Sequence, residues 1–230
     1  MTAPTANIYG RTFHCRYNGF TGTCFSLDVD GKRYLITANH VVDGISDEGH
    51  IRISHKGEWI QLGVSLVGIN TEKDVAVLAP EVPVGFGDPI KATSKGMIVG
   101  ADVFFLGFPF GIEPKGGTEI NEGFPVALVK KGIVAGLVQG SGEMFLDGTV
   151  AVGGSGGPVI RADRLPKEVV VVGVVTASQD EVRKVLDEHG SETNSTYFAH
   201  PGIGFATQIE RATDLINANP IGPEVESYGS

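Results

Sequence analysis

TVAVGGSGGPVI, residues Thr149 to Ile160, is the stretch on which the reading of the fold turns. Ser155 stands between two pairs of glycines, and the run closes on Gly157-Pro158. Glycine reaches backbone angles that other residues avoid, so glycine pairs on both sides allow a tight turn with several amide N–H groups facing one concave side. Such a nest suits a developing oxyanion. The β-branched runs around it, Val150-Ala151-Val152 and Val159-Ile160, read as strand ends that hold the turn rigid. Taken alone, GGSGG is equally a flexible or phosphate-binding loop, so the rest of the chain has to decide.

The chain has 230 residues, 41% of them hydrophobic, enough to bury a core as one large β-rich unit or two small ones. Its 33 glycines are about twice the average share, which without a repeat implies many turns and many short strands. A net charge of −9 leaves no basic footprint for nucleic acid or anionic lipid. The N-terminus, MTAPTANIYGR, lacks a charged start and an apolar run, and no stretch reaches membrane-spanning length. The expectation is a soluble, unexported, cytoplasmic chain. Cys15 and Cys24, nine positions apart across a strand–turn–strand, are close enough to pair; without an export signal, reduced core thiols are the favoured reading.

In chain order, Tyr9 to Leu27 gives two aromatic and β-branched runs around Asn18-Gly19, the composition of a hairpin. Asp30-Gly31 is a second turn, and Arg33 to Thr37 a third strand ending at Ala38-Asn39-His40-Val41-Val42. Ile51 to Ile53, Trp59 to Leu62 and Ser65 to Ile69 keep a short-strand rhythm. Asp74 then directly precedes the apolar run Val75 to Leu78. Pro80 to Gly96 is irregular and marks the boundary between two halves, dividing the chain into units over 1–92, 93–206 and 207–230. The second half opens on VGADVFFLGFPF, and Pro125 to Lys131 with Gly132 to Val138 reads as a hairpin around Lys131-Gly132. EVVVVGVVT, Glu168 to Thr176, is the strongest buried-strand signal.

Two capping boxes predict helices. Ser178-Gln179-Asp180-Glu181 opens one carrying Val182, Val185 and Leu186 and stopped by Gly190; Thr207-Gln208-Ile209-Glu210 opens another carrying Ala212, Leu215 and Ile216. Ser191 to His200 reads as a mobile polar loop, and Ile221 to Ser230 as a frayed tail.

His40, Asp74 and Ser155 each have an ordinary structural explanation, yet together they stand in the order His, Asp, Ser at the edges of apolar strands. A serine hydroxyl needs an adjacent base, and imidazole serves only in the tautomer that a buried carboxylate enforces. One constellation accounts for all three.

On these motifs the chain resembles the chymotrypsin-like serine proteases, and more closely their HtrA/Deg-type branch. The stretches that carry the likeness are GTCFSL, YLITANHVV, EKDVAVL, FFLGFPFGI, KKGIVAGLV, GGSGGPVI, VVGVVTAS and GIGFAT, in order from Thr21 to Ile209. The resemblance implies an all-β fold of two packed six-stranded antiparallel β-barrels with a short C-terminal helix. It implies a serine endopeptidase with Ser155 as nucleophile, His40 as general base and then acid, and Asp74 as orienting carboxylate. The oxyanion hole would be the N–H groups of Gly153 and Ser155. Thr176 would support the aspartate, and Thr176, Ala177 and Ser178 would pair with an extended protein or peptide substrate. Thr149 would form the base of the specificity pocket, with Gly202 and the strand 176–178 as its walls. With no charge at Thr149, cleavage after small or aliphatic residues is expected.

The chain also departs from the family pattern. Asn39 replaces the usual alanine before the histidine; Gly154 replaces the aspartate that anchors a cut N-terminus in digestive relatives, and a flexible oxyanion loop ordered by substrate is the expected substitute. No PDZ domain is expected after the second barrel. Rival readings are a catalytically impaired protease-fold binding or scaffold protein and an esterase on the same triad. No cofactor is called for, and His50 and His55, five apart without a third ligand, predict no metal site. Nucleic-acid and membrane partners are set aside, and an oligomer is neither indicated nor excluded.

Overall fold

Paired turn residues organise the first half of the computed structural model, which describes residues 3–178 and 180–225. After a short helix, α1 (Ala6–Tyr9), strand β1 (Thr12–Tyr17) turns into β2 (Phe20–Val29) at Asn18-Gly19, with φ of 43° and 86°. β2 turns into β3 (Lys32–Thr37) at Asp30-Gly31, φ 49° and 75°, and β4 (Glu48–His55) into β5 (Glu58–Asn70) at Lys56-Gly57, φ 52° and 78°. Two successive positive φ values define the hairpin turn whose twist matches that of the flanking strands. With β6 (Val75–Pro80) these strands close into a barrel in the order β1-β2-β3-β6-β5-β4, sealed where Cys15 faces Ile53 and Arg16 faces Arg52.

The second half supplies β7 (Lys91–Ala92), β8 (Asp102–Gly107), β9 (Leu128–Val138), β10 (Glu143–Asp147), β11 (Pro158–Arg161), β12 (Val170–Ser178), β13 (Glu181–Leu186), β14 (Glu192–Ala199) and β15 (Ile203–Gln208). Six of these form the second barrel, β11-β8-β9-β10-β15-β12, closed by pairing of β11 with β12; β7 adds in parallel outside β12. The helix α2 (Glu210–Ala218) follows. The architecture is therefore the all-β one that the resemblance implied: two closed six-stranded antiparallel barrels and a short C-terminal helix. Among the described residues no helix is long and apolar enough to cross a membrane.

Strands buried on both faces hold the barrels together. In β6, Val75, Val77 and Ala79 join the core between the barrels, while Ala76 and Leu78 fill the first barrel. In β12, Val171 and Val174 face the inter-barrel core and Val170, Val172 and Val175 the interior of the second barrel. Each such valine contributes about 1.5–3 kcal/mol. Cys15 and Cys24 are buried as free thiols in the first barrel.

Four local expectations are corrected. The segment after Ser178 is a β-hairpin, β13 with β14, in which Val182 faces Phe198 and Arg183 faces Tyr197. A helix needs a surface to bury its stripe, and every residue of β13 is exposed; β-branched and aromatic partners in β14 favour strands instead. Gln179 of the supposed capping box lies outside the described residues. At the second box the helix exists, but Thr207 and Gln208 end β15 and the Thr207 hydroxyl is committed elsewhere, so the cap is not made. Residues 128–138 form one strand instead of a hairpin: the first half pairs with β8 and the second with β10, and a Cβ at Gly132 would lie 2.3 Å from Asp147 O. That glycine answers crowding, not a turn. Finally, the tail is docked as far as Val225, with Arg33 N–H on Pro223 O and Val225 N–H on Gly31 O, both at 2.9 Å; residues 226–230 lie outside the described residues.

Candidate active site

β3 ends at Thr37, and a single 3₁₀ turn, Asn39–Val42, buries Val41 and Val42 while leaving the His40 side chain half exposed. Asp74 sits one residue before β6 with a φ of 52°, an unusual angle for a residue with a Cβ that the surroundings must hold. They do so from three sides. Asn39 N–H donates to Asp74 O at 3.1 Å, Lys73 N–H to Asn70 Oδ1 at 3.0 Å, and the Thr207 hydroxyl reaches from β15 to Lys73 O at 2.7 Å. Asn39, the departure before the histidine, thus joins the site through its backbone.

The Asp74 carboxylate clasps His40 twice, Oδ2 accepting from Nδ1 at 2.7 Å and Oδ1 from the backbone N–H at 2.9 Å. A proton held on Nδ1 leaves Nε2 with a free lone pair. The hydrogen bond from Asp74 raises the His40 pKa above 6.5, against the lowering effect of burial and with help from the carboxylate charge.

The serine turn is braced by the opposite barrel. Gly153 and Gly156 adopt φ of 91° and 87°. Thr23 N–H donates to Ser155 O at 2.8 Å, and the Thr23 hydroxyl donates to Gly153 O at 2.7 Å while accepting from Phe108 N–H at 3.1 Å. Gly156 N–H bonds Val175 O at 2.7 Å, and a Cβ there would come within 3.0 Å of Ala38 N, so the turn lies against the strand end that leads to His40. Ser155 Oγ donates to Thr176 O at 3.1 Å. Phe110 N–H holds Val152 O at 2.6 Å. Among the described residues, Gly153 N–H and Ser155 N–H have no acceptor in the protein.

Around the expected specificity pocket, Gly148 N–H bonds Gly202 O at 2.7 Å, and Ala177 and Ser178 pair with Phe205 and Gly204, so the three expected segments are neighbours. Thr149 is exposed, and its neighbour Val150 is buried against this wall: a Cβ at Gly204 would meet Val150 Cγ2 at 2.8 Å. The Lys130 ammonium donates to Thr149 O. Thr176 and Asp74 line one small cavity with Lys73 and Thr207.

Thr23 and Phe110 escaped the sequence reading, and Val150-Ala151-Val152, read there as a strand end, lies beyond β10, which stops at Asp147. Only Phe110 left a local signal, since a non-glycine residue between Pro109 and Gly111 is well placed to turn, and its φ is 56°.

The sequence model of the trypsin-like peptidase domain family matches residues 22–174. A chloroplastic protease, Protease Do-like 1 of Arabidopsis thaliana, is 27% identical over 86% of this chain and 38% of its own length. A probable periplasmic serine protease do/HhoA-like of Haemophilus influenzae is 26% identical over 80% of this chain and 34% of its own. The chain thus spans little more than a third of the curated relatives it matches. Among solved structures, an HtrA-type protease with a tripeptide superposes at a TM-score of 0.60 with 20% identity, covering 93% of this chain and 61% of that one. The serine endoprotease of Yersinia pestis superposes at 0.61 with 18% identity, covering 94% and 67%.

Proposed function

The chain belongs to the trypsin-like peptidase domain family, and from that premise we propose that it is a serine endopeptidase acting through His40, Asp74 and Ser155. The observation that carries the proposal is the double clasp of Asp74 on His40, which reserves Nε2 as a base. Ser155 Oγ leaves Thr176 O, gives its proton to Nε2 and attacks the scissile carbonyl. The tetrahedral oxyanion is received by the unused N–H groups of Gly153 and Ser155. His40 then protonates the departing amine, and water repeats the cycle on the acyl-enzyme to free Ser155. An extended peptide adds its backbone to β12 at Thr176 to Ser178.

Buried Val150 against Gly204, with the Lys130 ammonium behind Thr149, favours small or aliphatic residues before the cleaved bond, because a basic side chain would meet an uncompensated like charge. The assignment of units to 1–92, 93–206 and 207–230 belongs to the same proposal. The rival, an impaired binding protein, draws support from one observation, the Ser155 hydroxyl resting on Thr176 O. Labelling with a fluorophosphonate decides between them: Ser155 is modified in the wild type and spared in His40→Ala if the triad operates, and is spared in both if it does not. Cleavage of a denatured protein, with sites mapped, then reads the specificity; dominant cuts after Arg or Lys would refute it.

A further inference from the structure

His14 lies in β1 of the first barrel, opposite Thr23 of β2, and its side chain is only 5% exposed. A buried imidazole must have both ring nitrogens engaged. Nδ1 donates to Glu113 Oε1 at 2.6 Å, and Nε2 accepts from the Thr21 hydroxyl at 2.9 Å. The ring stacks on Phe108 with centroids 5.0 Å apart and meets the edge of Trp59 at 4.8 Å. Nothing in the proposed reaction uses this histidine.

Two of its partners, Phe108 and Glu113, are however the two ends of one loop. Phe108 opens and Glu113 closes the segment that follows β8, and between them Gly111 passes the ring closely enough that a Cβ would lie 3.5 Å from His14 Cε1. The middle of that segment is Phe110, whose backbone N–H holds Val152 O at 2.6 Å. Val152 C=O and Gly153 N–H belong to one planar trans peptide, so they point in opposite directions. While Phe110 keeps the carbonyl on its own side, the Gly153 N–H is turned away from it; if the loop shifts, the peptide can rotate, since glycine offers little resistance.

We infer that His14 and Glu113 are a positioning pair that fixes the 108–113 loop against the first barrel, and through Phe110 and Val152 holds the Gly153 N–H in place to receive the oxyanion. The inference rests on the reading of Ser155 as nucleophile. It accounts for why a charged hydrogen bond spans the two halves at this point: the bond ties the direction of one catalytic donor to the wall of the opposite barrel.

The test is made on Glu113, whose side chain is 28% exposed and can be changed without opening the core. Glu113→Ala removes the acceptor; Glu113→Gln keeps an acceptor oxygen for Nδ1–H. Steady-state kinetics on a mapped peptide substrate should show kcat reduced about tenfold or more in Glu113→Ala with KM changed less than twofold, because the donor acts on the transition state more than on the bound peptide. Glu113→Gln should recover most of the loss. A Glu113→Ala enzyme with wild-type kcat overturns the inference, as does an equal loss in both variants accompanied by a matching fall in melting temperature, which marks a merely structural role. Wild-type protein that neither cleaves peptides nor labels at Ser155 overturns instead the serine-protease reading on which the inference stands.

Discussion

Thr23 and Gly153, 130 positions apart and in different barrels, are joined by a 2.7 Å hydrogen bond from the threonine hydroxyl to the glycine carbonyl. The same hydroxyl accepts from Phe108 N–H, and the same residue's N–H takes Ser155 O, so one fully buried residue holds the serine turn at two points and the loop beside it. Thr23→Val keeps the shape and deletes the hydroxyl, leaving a buried carbonyl and a buried N–H unpaired. The expected cost is about 1–3 kcal/mol for each group left without a partner, read by denaturant unfolding, together with a fall in kcat. Thr23→Ser should be close to wild type in both. A Thr23→Val protein as stable and active as the parent would remove Thr23 from the account.

The pH profile follows from His40. The proposed base works only when neutral, and its pKa is raised by the hydrogen bond to Asp74, so kcat/KM should fall on acidification with a midpoint above 6.5. Asp74→Asn deletes the carboxylate charge and lets an amide N–H face Nδ1, which moves the midpoint down and, by favouring the wrong tautomer, lowers kcat by about four orders of magnitude. The linkage to folding has the opposite sense: with the folded pKa raised, the His40–Asp74 interaction adds stability below the unfolded value and loses it as pH rises through the folded one. A midpoint at or below 6.5 in the wild type would contradict the clasp.

Much of this was legible because the signals are local. Asn18-Gly19, Asp30-Gly31 and the doubly buried Val75 to Leu78 and Val170 to Thr176 declare turns and strands through residues a few positions apart. The proposed triad was legible because each member borders such a strand. What stayed hidden depends on distant partners. Thr23 acquires its place only when Gly153 arrives from the other barrel, and Gly132 looks like a turn until Asp147 crowds it. The hairpin after Ser178 was misread because Val182, Val185 and Leu186 happen to fit helical spacing, whereas the facing Tyr197 and Phe198 select strands.

Asp28 carries a buried charge network. It receives Arg33 at 2.7 and 3.0 Å and Arg11 at 2.8 Å, with both guanidinium side chains almost fully enclosed. Burial pushes its carboxyl pKa up, but the hydrogen bonds and charges of Arg33 and Arg11 outweigh it and hold the value below 3.8. Asp28→Ala should cost about 3–5 kcal/mol, since it strands two buried cations. The depressed folded value means that this stability is present above pH 3.8 and fades as pH falls through the folded pKa; the variant should therefore lose the acid-side slope of unfolding free energy in that window.

Gly156 is predicted to tolerate no side chain. Its φ is 87°, and a Cβ would stand 2.0 Å from Thr23 O, a contact that only a shift of backbone could relieve, and 2.3 Å from the Thr37 hydroxyl that bonds the same carbonyl. Gly156→Ala should lose fluorophosphonate labelling of Ser155, with a lower melting temperature because the displaced groups belong to β2 and β3 of the opposite barrel. Full labelling at the wild-type rate would mean that the turn yields more readily than its contacts imply.

The β13–β14 hairpin gives the opposite expectation. Its strands pair only with each other among the described sheets, Val182, Leu186 and Phe198 are exposed, and the Asp180 carboxylate sits 2.6 Å from His200 Nδ1 where the two strands begin and end. A two-stranded ribbon whose residues join none of the hydrophobic cores adds little to the stability of the body it projects from. Replacing residues 181–199 by a short glycine-serine bridge should leave the melting temperature within about 2 °C of the parent, because no contact of either barrel core is removed. The ends are already side by side, so the bridge need not strain the last turn of β12 or the start of β15. A fall of more than about 5 °C in differential scanning calorimetry would place the hairpin against the barrels in solution and overturn its reading as an independent projection.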